Sequence, residues 1–480
     1  MNTPQNTKTP RRRRGRRWLG AAALALPLLG LAACDLDRLL DVDDPDTLLP
    51  EEIVDPLMLP AIRASALGDF TLAYAGAPIG GGGTEGIVLM GGLISDEFRH
   101  SGTFDTREVL DRRITIETNA HVQGLFHLLQ RARVSAERSA GLFGELGPNQ
   151  LGHAEAYNLA GYVYSMLAEN YCSGIPFSEL RPDGTMDHGE PETTVQVFNR
   201  AIARFQSAQQ VAATGNLPQQ HYLAQLGIAR AQLGLGQYDA AAATAAGVPT
   251  DFEYLVWHSE TSARQNNGIW AMNNNAGRWS VGNAEGINGL PFRAEGRIDG
   301  DVRDPRIPSM HIGAAQRTTL RPDEQWGQLK YPNRPSPTVL ATGIEARLIE
   351  AEAALRAGQV DLFVELHNYL RANVPLEAQI GFELQALDED DIEAMSQRER
   401  EDLHFKERAY WLWLTGRRLP DLRRLIWDYG RQQDEIFPIG THHRGSTYGS
   451  DTHVPVPFDE RNNPLFDGCF TRDDHAGRHG

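Results

Sequence analysis

Apolar residues recur at helical spacing over most of the chain, and the intervals between them set the predicted elements. Ile53, Leu57, Leu59, Ile62 and Leu67 predict a helix over about 51–74, and the pattern resumes at Leu89–Leu93 after the glycine run 80–83. Two long helical segments follow, 120–146 and 150–170. The second carries Ala156, Leu159, Ala160, Val163, Tyr164 and Leu167, and Gly174 and Pro176 stop it. Thr193-Thr194 caps a helix that runs to about residue 213.

Residues 219–246 form the clearest hairpin. Leu226-Gly227-x-Ala229-x-Ala231 fills one helix, and Gly236-Gln237-Tyr238-Asp239 turns into the next. The small residues let two antiparallel helices approach closely, as in a tetratricopeptide unit; a single copy shows no period, and a generic helical hairpin reads the same way. A second pair spans 340–358 and 360–372, with Gly358 as the cap between them. From 249 to 337 the helical period fades while Gly, Asn, Arg, Pro and Trp rise. Trp257, Trp270, Trp279 and Trp326 all lie there, as does Asn273-Asn274-Asn275. A loop-rich insertion of that length in a helical protein points to function or mobility.

The stretch 399–427 mixes arginines with aromatics more densely than any other. Phe405, Ala409, Leu412 and Trp413 make a helical stripe, Gly416 closes it, and Pro420-Asp421 opens another helix. Such a mix suits a phosphate backbone with stacked bases, or a core helix whose arginines pair with Glu399, Glu401, Glu407 and Asp421. Charge decides between them. The net charge is −17, and residues 1–33 hold seven basic residues and no acid; the rest has 39 basic against 63 acidic residues, a net of −24. Repulsion on that scale excludes general nucleic-acid binding, so Arg408, Arg417, Arg423 and Arg424 are read as an internal pairing network around Trp411, Trp413 and Trp427.

The same 33 residues have the parts of an export signal: a basic start, an apolar run from Trp18 to Leu31, then Leu31-Ala32-Ala33-Cys34. The run is short for a membrane span, and its ending resembles a bacterial lipobox, with Cys34 as the lipidated first residue of the mature chain. Residues 34–50 read as an acidic tether. Cys172 and Cys469 remain; in an oxidising compartment they either pair or stay as separate buried thiols.

Catalytic and cofactor motifs do not emerge. Gly81, Gly83 and Gly86 satisfy G-x-G-x-x-G with no strand before them, so a loop is the better reading. No H-E-x-x-H, G-x-S-x-G or P-loop occurs. Asp388-Glu389-Asp390-Asp391 lacks the spaced ligands of a calcium loop. His442, His443 and His453 lack metal-site spacing, so no metal and no cofactor is expected.

Taken in order, several fragments resemble the SusD/RagB family of nutrient-uptake outer-membrane lipoproteins. They are Cys34, Tyr171-x-x-Gly174-Ile175-Pro176, the helix Glu345–Ala354 with Arg347-Leu348 and Ala351-Glu352-Ala353, the block 399–424, and Pro455-Val456-Pro457 with Asn463-Pro464. The turn at Tyr171 departs from the family pattern by lacking its aspartate. The resemblance implies an all-α fold of tetratricopeptide-like hairpins with a large loop-rich insertion. The expected organisation is a signal peptide over 1–33, a tether over 34–50 and an N-terminal helical region over 51–248. A ligand region over 249–337 and a C-terminal helical scaffold over 338–480 complete it. It further implies a surface-exposed, lipid-anchored protein of the outer membrane that captures a glycan or a peptide. The ligand would pass to a TonB-dependent barrel transporter without being cleaved.

For a glycan, tryptophan faces would stack on sugar C–H surfaces while Asn, Asp and Arg bond the hydroxyls. The expected ligand residues are Trp270, Asn273, Asn275, Arg278 and Trp279, with Asp96 and Glu97 behind them. Alternatively, Trp270 and Trp279 pin the loop onto the helices. An envelope interaction scaffold without a small ligand is the competing function.

Overall fold

A computed structural model describes residues 55–80, 83–147, 149–181, 183–298, 304–314, 324–374 and 384–470. The signal segment 1–33, Cys34 and the tether 34–50 lie outside the described residues. No described helix is long and apolar enough to cross a membrane.

Helices carry the fold. They are α1 (Leu59–Ala75), α2 (Ile87–Ile94), α3 (Asp105–Asp111), α4 (Ala120–Leu146), α5 (Gln150–Asn170), α6 (Thr194–Gly215), α7 (Pro218–Gly234) and α8 (Tyr238–Ala245). Four longer ones follow the irregular region: α9 (Gly343–Arg356), α10 (Val360–Asn373), α11 (Gln397–Trp411) and α12 (Arg418–Tyr429). The caps are those the sequence suggests. Thr193 and Gln196 close a capping box on α6, and Gly358, at φ +72°, turns α9 into α10.

From α4 to α10 the helices pack in series, each on its neighbour, with α1 against α4 and α11 against α9. Small residues set the spacing. A Cβ at Gly161 on α5 would stand 2.6 Å from the Phe205 ring of α6, and one at Gly227 on α7 would stand 2.4 Å from it. Phe205 is therefore clamped between two glycine-bearing helices, and alanine at either position forces the ring out of place.

The region read as loops contains paired strands. β1 (Phe98–His100) pairs antiparallel with β3 (Trp279–Val281), and β2 (Glu253–Val256) with β6 (Thr338–Thr342), through a bulge between Val339 and Ala341. β4 (Ser309–Ala314) pairs with β5 (Glu324–Gln328). All described strands lie in two-stranded pairings.

The arginine block forms the inner wall. Trp413 is fully buried and lies parallel to Phe292, ring centroids 6.4 Å apart. The turn after α11 puts Leu414 at φ +55° and Gly416 at φ +73°. Distant side chains hold its backbone: Lys330 Nζ donates to Trp413 O (2.6 Å), Tyr331 Oη to Leu414 O (3.1 Å) and Tyr74 Oη to Thr415 O (3.0 Å). Leu414 N donates to Glu97 Oε1 at 2.8 Å.

The arginines pair as a network in which Asp421 is an expected partner and Glu169 and Glu352 take the places expected for Glu399, Glu401 and Glu407. Arg408 makes two bonds to Asp421, at 2.9 and 3.0 Å, and Arg424 bonds both Asp421 and Glu352. Arg417 takes Glu169 of α5 at 2.7 Å through each terminal nitrogen, and Arg423 donates to the Glu169 carbonyl. Glu399 instead completes the capping box of α11, Glu401 meets Arg431, and Glu407 binds Arg306 and Arg371. At the edge, Cys172 and Cys469 are joined in a disulfide, Cα–Cα 5.8 Å, and Val454 bridges to Tyr171 beside it.

Candidate functional site

The tryptophans of the irregular region divide by burial. Trp279 on β3 is fully buried, with the Arg107 guanidinium 4.7 Å from its ring centroid and the His100 ring set edge-on to it, ring centroids 6.4 Å apart. Asn273 is also fully buried. Its amide donates to Trp279 O (2.7 Å) and Trp326 O (3.0 Å), and its oxygen accepts from Gln328 N (2.8 Å). It joins β3 to β5. Asp96 accepts from Arg418 at 2.7 and 2.9 Å and from Leu290 N at 2.8 Å. Glu97 is buried on the Leu414 turn, and burial pushes its carboxyl up to about 8.

Trp279, Asn273, Asp96 and Glu97, expected to contact ligand, are all buried, and the side chains of Asn273 and Asp96 are bonded within the fold. Of the other expected residues, Asn275 is exposed. Trp270 is half-buried under the Arg334 guanidinium, and Arg278, also half-buried, lies 5.6 Å from the Phe104 ring.

A different tryptophan carries an open face. Trp257, just past β2, is 74% exposed, the most exposed aromatic among the described residues. It stands on a cleft of about 390 Å³ bordered by α1, α5, the start of α7 and β2. Strand parity explains its position. Along Phe252–His258 alternate side chains face opposite ways, so Trp257 shares the outer face with Glu253 and Leu255 while Val256 and His258 point inward. That alternation, with acidic Glu253 on the Trp257 side, was the signal available in the sequence.

The cleft floor is a polar triad on an apolar base. Arg63 on α1 pairs with Glu155 on α5 through two bonds, one of them 3.0 Å, and Tyr254 Oη donates to Glu155 Oε1 at 3.0 Å. Glu155 is buried, whereas Arg63 is over one-third exposed at the rim. The hydrogen bond to Glu155 raises Arg63 above its ordinary range, so it stays charged. Burial, then the neighbouring carboxylate, pushes the Tyr254 hydroxyl up, so it stays a neutral donor. Leu67 and Phe70 supply the apolar base, and Gln219 lies at the edge. An indole face beside a fixed guanidinium, carboxylate and amides suits a neutral polyol with one apolar face.

A smaller cavity of about 190 Å³ opens on the other side of Glu253, walled by Lys330, Arg306 and Trp411. Burial pushes Lys330 down to about 8, and its ammonium is committed to Trp413 O.

No protein-family model matches the chain, and no curated protein matches it. Solved structures do. A SusD superfamily protein from Bacteroides fragilis aligns with TM-score 0.61 at 13% identity, over 86% of this chain and 99% of that one. A surface glycan-binding protein A from Bacteroides uniformis aligns with TM-score 0.58 at 14% identity, over 85% and 99%. A SusD-like carbohydrate binding protein from Bacteroides vulgatus aligns with TM-score 0.54 at 13% identity, over 76% and 83%. The chain has the SusD-like fold: an all-α body of helical hairpins with an irregular region inserted.

Proposed function

We propose that this SusD-like protein is a SusD/RagB-type glycan-binding protein and that the Trp257 cleft takes the sugar. The observation that carries the reading is Trp257 itself, a broad apolar face held open to solvent beside the Arg63–Glu155–Tyr254 triad. A pyranose ring would lay its C–H face on the indole and turn its hydroxyls to Arg63, Glu155 and Gln219. Likeness to structures named for glycan and carbohydrate binding supports the ligand class. The lipobox-like Cys34 supports anchoring at the outer membrane, and the resemblance to SusD/RagB sequences supports delivery to a TonB-dependent transporter, with binding and no cleavage.

A glycan panel tests the site, with oligopeptides as the second arm. Trp257→Ala is expected to abolish measurable glycan affinity while the circular dichroism spectrum is unchanged. Undiminished affinity in that variant refutes the site, and binding of peptides alone refutes the ligand class.

A further inference from the structure

The histidine pair of the C-terminal region has a partner far away in the sequence. Residues 441–447 make a short hairpin. Thr441 bridges Thr447, His442 N donates to Ser446 O at 2.7 Å, and Gly445, at φ +86°, closes the turn by donating to His442 O at 2.8 Å. This hairpin presents His442 Nε2 and His443 Nε2 to one carboxylate oxygen, Asp111 Oδ2 at the end of α3, at 2.9 and 3.0 Å. His442 and Asp111 are buried, and His443 is partly open. The His100 backbone N–H also donates to Asp111 Oδ2, at 2.8 Å, and fixes its orientation.

From this juxtaposition we infer that Asp111, His442 and His443 form a binding site for a borderline divalent cation of the zinc class. It would clamp the hairpin to α3. Two imidazoles and one carboxylate are the ligand set such ions prefer, and calcium or magnesium would demand oxygens instead. The donor atoms lie within 4.8 Å of one another. Zinc bonds of about 2.0–2.2 Å in a tetrahedron hold ligand atoms about 3.3 Å apart, so each histidine–Asp111 contact, at 2.9 and 3.0 Å, needs to lengthen by only a few tenths of an ångström.

Charge is favourable as well. Two neutral imidazoles with a carboxylate leave one negative charge, and the nearby Arg444 is paired with Glu108 at 2.9 Å. Binding has costs. Both imidazoles give up their Nε2–H bonds to Asp111, and with its proton moved to Nδ1 His442 also loses the bond it accepts there from the Arg444 N–H at 3.3 Å. A second acidic group, Asp361, Glu389 and Glu393, is fully exposed, has no histidine, and serves as a control.

The test is Zn²⁺ titration of the full chain, free of any affinity tag, against a competing chromophoric chelator, with bound metal counted by mass spectrometry. One equivalent is expected. His443→Gln, which keeps a polar side chain of similar reach at a position whose side chain is 8% exposed, is expected to weaken it by at least about tenfold, and Asp111→Asn likewise. Glu393→Gln is expected to change nothing. Bound Co²⁺ is expected to give visible absorption that His443→Gln removes, which reports ligation independently of stability. Failure of the wild-type chain to bind an equivalent overturns the site. So does an equivalent that survives His443→Gln, or one lost with Glu393→Gln.

Discussion

The arginine block on α11–α12 and the Trp257 cleft are made of the same parts: guanidinium, carboxylate and aromatic ring. They differ in water. In the block, Arg408, Arg417 and Arg424 are at most 5% exposed, and each is held by at least two bonds to Asp421, Glu169 or Glu352. In the cleft, Glu155 is buried but Arg63 reaches the rim, and Trp257 keeps its face open. The comparison teaches that residue type does not separate scaffold from site here. Closure does: a buried ion pair presents nothing to a ligand, whereas one whose guanidinium reaches the rim does.

The sharpest way to break the comparison is at its closed end. Glu352→Ala removes the acceptor of Arg424 and Tyr429 and leaves a buried guanidinium short of partners. Denaturant melts are expected to show a loss of about 3–5 kcal/mol, with glycan affinity intact in the folded fraction. A smaller loss than about 1 kcal/mol would mean that the block is wetter than it looks.

Glu97 tests the same end from the other side. Burial lifts its folded pKa to about 8, above the ordinary 4.5, so between those values the folded chain keeps a proton that the unfolded chain releases. Its contribution to stability is full below about pH 4.5 and is lost as pH rises towards about 8. Glu97→Gln keeps an acceptor for Leu414 N–H and removes the titration. It is expected to raise stability at pH 8 by about 2 kcal/mol, with a smaller gain at pH 5. Equal gains at both pH values would contradict a protonated Glu97.

At the boundary, Arg63→Ala leaves Glu155 with Tyr254 as its remaining side-chain donor among the described residues. The expected cost is about 1 kcal/mol in melts, together with weaker glycan binding. The smallest stability effect belongs to Trp257→Ala, within about 0.5 kcal/mol. Its affinity loss should nevertheless exceed tenfold, about 1.4 kcal/mol. Calorimetric melts and binding titrations on the same samples separate the two quantities.

Helices were legible because their signals are local. The apolar stripes over 120–146 and 150–170, the cap at Thr193 and the hairpin at Gly236 all depend on residues a few positions apart, and α4, α5, α6 and α7–α8 follow them. Strand pairing was not legible. β2 meets β6 across more than eighty residues, and β1 meets β3 across a longer gap, so the segment between 249 and 337 read as loop. The arginine network was anticipated as a network, but Glu169 and Glu352 lie on distant helices, and only Asp421 was in local reach.

The site was legible as chemistry and not as position. Tryptophan and asparagine pointed to the segment that holds Trp257 of the proposed cleft, yet Trp279 faces the β3–β5 interior and Trp257 faces out, a distinction of strand parity. His442 and His443 carry no metal spacing by themselves, because the third donor, Asp111, is 331 residues away from His442.

The Cys172–Cys469 bond links residues 297 positions apart. Everything from the end of α5 to the tail, including the Trp257 strand and both arginine helices, lies inside one covalent circuit. A single protease cut anywhere in that circuit opens it without releasing a piece. The two products travel together on a non-reducing gel and part only when the bond is reduced. In surroundings rich in proteases, this region survives a first nick as one molecule.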